Sequence, residues 1–166
     1  ETYFQYLSDV PVETIRSSFA IINSGSGFSR LFPRPLMNTG DGRNYGVEMT
    51  LERFFANNYY FMFTSSLFDS KYRGSNDEWR NTTFNGNYTL NALFAREFPI
   101  KKKNSFNVGG KVTYAGGRRY GDVDRIESAR TLEVIYSEND NYNTYQFRPY
   151  FRADLKINYK INHKSL

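Results

Sequence analysis

Residues 151–162 alternate apolar and polar side chains without a break. As a strand this segment has one oily face, with Phe151, Ala153, Leu155, Ile157, Tyr159 and Ile161, and one wet face, with Arg152, Asp154, Lys156, Asn158, Lys160 and Asn162. A run of that length exceeds the usual globular strand of about five or six residues. It suits a tilted bilayer crossing, which takes roughly 9–11 residues. The pattern therefore predicts a transmembrane β-strand whose oily face meets lipid.

The same period-two test predicts strands at 2–12, 45–55, 59–68, 88–98 and 106–114. In three of these the apolar set is clear: Tyr45, Val47, Met49 and Leu51; Tyr88, Leu90, Ala92, Phe94 and Phe98; Phe106, Val108, Val112 and Tyr114. Arg96 falls on the apolar side, where a long cation snorkels toward water. The facing of 2–12 and of 59–68 does not follow from the pattern, because Tyr59-Tyr60-Phe61-Met62-Phe63 is apolar on both sides. The connections alternate long, short, medium, short, long: 13–44, 56–58, 69–83, 99–105 and 115–144. Outer-membrane barrels have tight periplasmic turns and longer outer loops, so 13–44, 69–83 and 115–144 are expected outside. The loops carry turn residues, as in Asn23-Ser24-Gly25-Ser26-Gly27 and Asn38-Thr39-Gly40-Asp41-Gly42.

The expected fold class is thus all-β: an antiparallel transmembrane β-barrel, present here as a fragment of about six strands. Val47, Met49, Leu51, Leu90, Phe94, Val108, Val112, Leu155, Ile157 and Tyr159 are expected to face lipid. Glu48, Thr50, Glu52, Asn91, Lys111, Arg152, Asp154, Lys156 and Asn158 are expected to face the lumen. Glu1 is preceded by no signal peptide, and Leu166 follows a polar His163-Lys164-Ser165 stretch, so both ends read as cuts through a longer protein. Six strands would leave open edges, which a bilayer does not tolerate, so the outer strands are expected to pair with further barrel segments.

Composition narrows the function classes. Mean hydropathy is -0.67, and no apolar run of about 18 residues offers a membrane helix. The 14 Tyr and 15 Phe suit aromatic girdles at two membrane interfaces. The net charge of +5 comes from 22 basic residues scattered among 17 acidic ones, without the basic stripe that nucleic-acid binding needs. With no cysteine and the single His163, neither a disulfide framework nor a zinc site is expected. Asp122, Asp124, Glu127, Glu138 and Asp140 lack the ligand spacing of a calcium loop, and Gly25-Ser26-Gly27 lacks the ending of a phosphate-binding loop. Glu48 and Glu52 stand about 13 Å apart along one strand, too far for a catalytic carboxylate pair, so neither enzymatic activity nor a cofactor is expected. The candidate ligand-binding residues are Trp79, Arg80, Arg118, Arg119 and Tyr120, because arginine forks and aromatic faces together suit anionic or sugar ligands. The competing role for this set is loop packing or anchoring at lipid headgroups.

Gly42-Arg43-Asn44-Tyr45-Gly46-Val47-Glu48-Met49-Thr50-Leu51-Glu52-Arg53-Phe54-Phe55 resembles the late barrel strands of TonB-dependent outer-membrane receptors, particularly those of Bacteroidetes. Tyr3 to Val12, Arg80 to Tyr88 and Tyr114 to Tyr120 resemble further pieces of the same family in the same order. The resemblance implies a C-terminal part of a plugged barrel of about 22 strands in the bacterial outer membrane. Such a receptor imports a scarce nutrient, such as a ferric siderophore, cobalamin, glycan or peptide. The implied partners are outer-membrane lipid, the remaining barrel strands and plug of the parent protein, TonB through that plug, and a surface lipoprotein. A plug, a TonB-contacting segment and an aromatic-ended closing strand are not recognisable in the sequence. Two readings compete: a soluble β-barrel or sandwich holding a small apolar ligand, and a small outer-membrane barrel enzyme.

Overall fold

A computed structural model describes residues 1–24, 34–100, 104–137 and 141–161. Gly25-Ser26-Gly27, Glu138, Asp140, Asn162 and His163 lie outside the described residues. The strands are β1 (Thr2–Glu13), β2 (Leu36–Ala56), β3 (Tyr59–Arg73), β4 (Trp79–Asn81), β5 (Tyr88–Pro99), β6 (Ser105–Ala115), β7 (Arg119–Tyr120), β8 (Tyr145–Gln146) and β9 (Tyr150–Lys160). A single helical turn, Ile21–Asn23, follows β1, and one short helix, α1 (Arg125–Thr131), lies between β7 and β8. The main sheet runs β1-β2-β3-β5-β6-β9, with β4 added to β3, and β7 pairs with β8 separately. Each long strand therefore neighbours the next long strand in sequence, as in an up-and-down barrel wall.

The chain divides into two compact units. One comprises Glu1–Val47, Leu67–Asn87 and Gly116–Arg148 and contains the long connections. Its core is small: Val10, Val12, Ala20 and Tyr72 are buried, with Leu7, Ile21 and Met37 packed against them. The other comprises Glu48–Ser66, Tyr88–Ala115 and Pro149–Leu166 and contains the short connections.

In the second unit the registers sort the side chains into two chemically distinct faces. Phe98 lies opposite Phe106, which lies opposite Tyr159, and Tyr114 lies opposite Phe151. Tyr88 joins the latter row with its ring centroid 5.5 Å from that of Tyr114. These two aromatic rows are eight residues apart on β6 and β9, about 26 Å along the strand and of the order of 20 Å after a barrel-like tilt. Between them on the same face lie Leu90, Ala92, Phe94, Arg96, Val108, Gly110, Val112, Ala153, Leu155 and Ile157. Nothing among the described residues covers this band, and Leu155 is 73% exposed. The opposite face carries a hydrogen-bonded ladder in which Thr113 donates to Asn91 (2.9 Å) and Asn91 donates to Thr64 (3.3 Å). Arg152 and Asp154 pair on that face at 2.9 Å.

Two boundaries and one register differ from the sequence reading. β2 begins at Leu36, so Asn38-Thr39-Gly40-Asp41-Gly42 is strand and not loop. Gly40 is there for close packing: a Cβ on it would lie 2.9 Å from the Arg73 carbonyl oxygen and closer still to Val12. β3 continues to Arg73, held by β4 on one side and by the pairing of Arg73 with Asp41. In β1 the register jumps from Leu7 opposite Gly42 to Val10 opposite Gly40, with Asp9 at φ 56. This bulge inserts one residue and breaks the period-two pattern, which is why the facing of β1 could not be read.

The β2–β3 connection is Asn57-Asn58, at φ 53 and 64. Two positive φ values match the tight turn whose twist suits a hairpin, and asparagine tolerates them. Replacing Asn58 with Val should destabilise the folded barrel by about 1–2 kcal/mol, while Asn58→Gly should be near neutral. The denaturant midpoint of the lipid-reconstituted receptor would read both, and equal midpoints would contradict the turn geometry.

Candidate functional site

The unit with the long connections holds the candidate site. β6 ends at Ala115 and the chain passes Gly116 and Gly117 to reach β7. At Gly116 a Cβ would sit 1.7 Å from the Gly86 carbonyl oxygen, so only glycine lets these two segments cross. The crossing brings Arg118, Arg119 and Tyr120 beside the segment that follows β4.

Arg119 acts as a strut. Its backbone N–H donates to the Thr83 carbonyl (2.8 Å), Nε to the Asn85 carbonyl (2.9 Å) and Nη2 to Asn87 Oδ1 (2.5 Å). Asn85 is fully buried and donates to both Asp69 Oδ1 (2.9 Å) and Asn81 Oδ1 (2.8 Å). Asn81 and Asn143 exchange bonds, each side-chain amide donating to the other's carbonyl at 3.2 and 2.9 Å. A buried polar group without partners would cost several kcal/mol, so this asparagine lattice stands because its members satisfy one another.

Tyr120 stacks on Phe147 with centroids 4.3 Å apart, and the Tyr145 and Tyr136 rings lie 5.5 and 6.1 Å away. Arg118 is exposed, its guanidinium 4.7 Å from the Phe84 ring centre. A cavity of about 510 Å³ opens among Arg118, Arg119, Tyr120, Tyr136, Tyr142, Asn143 and Phe147. It offers ring faces, a cation and amide edges, a set that can stack on and hydrogen-bond a polar ligand.

The structure thus brings three of the five sequence candidates together and separates the other two. Trp79 lies under Arg43 (4.4 Å) and Arg73 (5.7 Å), away from the cavity lining. Arg80 is 6% exposed, and its guanidinium is held by Glu78 (2.5 Å) and Asn76 (2.9 Å). Sequence reading missed Tyr136, Tyr142, Asn143 and Phe147; the one signal was the aromatic density of 136–147. Asp124 and Glu127 serve local structure. Asp124 caps α1 by accepting from the N–H groups of Ile126 and Glu127, and Glu127 pairs with Arg130 at 2.5 Å. The Arg130 hydrogen bond holds the Glu127 carboxyl below its ordinary range, and the Asp122 charge raises the Tyr145 phenol.

A family model described as TonB dependent receptor-like, beta-barrel, matches residues 6–166. The chain belongs to this family. No curated protein and no solved structure gives a significant match. The TonB-dependent receptor barrel is an outer-membrane transport fold and not an enzyme fold, so the chain is a segment of an outer-membrane receptor barrel. The family barrel works within a larger receptor that includes a plug and engages TonB.

Arg119→Met removes the Nε and Nη2 donors to Asn85 and Asn87 and leaves buried acceptors behind, so it should destabilise the loop lattice by about 2–3 kcal/mol. Arg118→Met should change it by only about 0.5 kcal/mol. Amide hydrogen exchange across 81–87 and 141–147 would separate the two; equal protection in both variants would contradict the strut.

Proposed function

We propose that this chain supplies late barrel strands and outer loops to a receptor of Bacteroidetes type that imports a scarce nutrient into the periplasm. On this reading Val47, Met49, Leu51, Leu90, Phe94, Val108, Val112, Leu155, Ile157 and Tyr159 face lipid. Glu48, Thr50, Glu52, Asn91, Lys111, Arg152, Asp154, Lys156 and Asn158 face the lumen or the plug. The observation that carries the reading is the pair of register-aligned aromatic rows bracketing an uncovered apolar band. A soluble protein rarely leaves so large an apolar surface in water, whereas lipid is its natural solvent.

The outer connections form the nutrient's entry side, and the cavity of Arg118, Tyr120, Tyr136 and Tyr142 is one contact surface for it. Its aromatic and amide lining supports a polar ligand with flat faces, such as a glycan or a peptide. The open polar face, with Lys111 opposite Asp154, supports a hydrated lumen.

Ile157→Arg should impair insertion by about 2–4 kcal/mol, because the cation would sit in the apolar band. Lys156→Met, on the other face, should be much milder. Folding yield into vesicles, followed by the heat-dependent gel shift of folded barrels, measures both, and equal effects would sink the assigned facing.

A further inference from the structure

Two arginines stand on the apolar face beside the aromatic row of Phe98, Phe106 and Tyr159. Arg53 continues the outward set of Tyr45, Val47, Met49 and Leu51 on β2, and its guanidinium lies 4.2 Å from the Tyr59 ring centre. Arg96 sits between Phe94 and Phe98 on β5, 5.0 Å from the Phe98 ring centre. The backbone bonds Glu97 N–H to Asn58 O (2.8 Å) and Phe68 N–H to Asn87 O (2.9 Å) share one register, which sets Tyr59 opposite Arg96. Arg96 is thus the cross-strand neighbour of Tyr59 on one side, and from the other side the Arg53 guanidinium reaches the Tyr59 ring.

Neither cation is ion-paired among the described residues. Arg53 Nε is buried without a hydrogen-bond partner. The nearest carboxylates in sequence, Glu52 and Glu97, belong to the opposite face by strand alternation. Three other strand arginines are paired with a carboxylate: Arg73 with Asp41, Arg80 with Glu78, and Arg152 with Asp154. Arg53 and Arg96 instead stand at the edge of the apolar band, where lipid phosphates lie and where an arginine fork binds phosphate in bidentate fashion.

We propose that Arg53, seated on Tyr59, and Arg96, seated on Phe98, form a site for the phosphate of an anionic phospholipid on the outer wall, at the turn end of the barrel. The site rests on the outward facing of this surface argued above. Tyr59 and Phe98 hold the guanidinium planes by cation–π contact, so the donors are set before the lipid arrives.

Native mass spectrometry of the intact receptor in detergent, titrated with phosphatidylglycerol or phosphatidylcholine, tests this. The wild type should retain phosphatidylglycerol preferentially, and the R53Q/R96Q receptor should retain it on the order of 30-fold less, the factor two cations supply at an anionic surface. R53K/R96K, which keeps the charge and the snorkelling chain but not the fork, should fall between them and guards against a folding defect in the first variant. Equal retention by wild type and a folded R53Q/R96Q receptor would overturn the site, as would equal retention of phosphatidylcholine or competition by inorganic phosphate alone at lipid-equivalent concentration. If Ile157→Arg impairs insertion while arginine loss leaves lipid retention unchanged, this inference fails alone. If Ile157→Arg inserts normally, the facing itself fails.

Discussion

Every feature of this molecule depends on the fixed antiparallel register of its backbone ladder. In hydrocarbon a strand survives only if its N–H and C=O groups are taken by neighbouring strands, and side-chain period then follows from strand geometry. A slip of one residue between β6 and β9 would move Leu155 and Ile157 to the face of Lys111 and bring Lys156 into the apolar band. The observed register instead sets Phe98 opposite Phe106, Phe106 opposite Tyr159 and Tyr114 opposite Phe151. The aromatic rows are thus a product of hydrogen bonding as much as of sequence.

The two units solve different solvent problems. In the unit of short connections apolar side chains lie open, and the polar face is knitted by side-chain hydrogen bonds such as Thr113 to Asn91 to Thr64. In the unit of long connections a small apolar core around Val12 and Tyr72 is supplemented by buried amides, with Asn85 and Asn143 almost wholly enclosed. Such a lattice gives long loops a defined shape where the apolar core is small. It also explains why Arg119 holds loops together while its neighbours Arg118 and Tyr120 remain at the cavity.

The legibility of the sequence followed the regularity of the backbone. β9 could be read at once because nothing interrupts its alternation, and β5 and β6 keep a readable phase despite Arg96 and Gly109-Gly110. β1 was opaque because Asp9 turns the backbone to positive φ and shifts the pattern by one residue. The first half of β2 looked like a loop because Gly40 and Gly42 are turn formers in most settings, whereas here they make room for neighbours. The cavity was half legible. Arg118, Arg119 and Tyr120 are adjacent and announce themselves, but Tyr136, Tyr142 and Phe147 reach them only through the fold, and the burial of Arg80 depends on the local turn that presents Glu78 and Asn76. Long-range partners of this kind leave no period in a sequence.

The central claim is the outward facing of the apolar band, and site-directed spin labelling along β9 tests it most directly. With nitroxides placed singly at 151–160 in the bilayer-reconstituted receptor, collision with dissolved oxygen and with a water-soluble nickel complex should alternate with a period of two. Oxygen should dominate at 151, 153, 155, 157 and 159, and nickel at 152, 154, 156 and 158. The reverse phase, or labels at 155, 157 and 159 shielded from lipid inside a closed interior, would contradict the account.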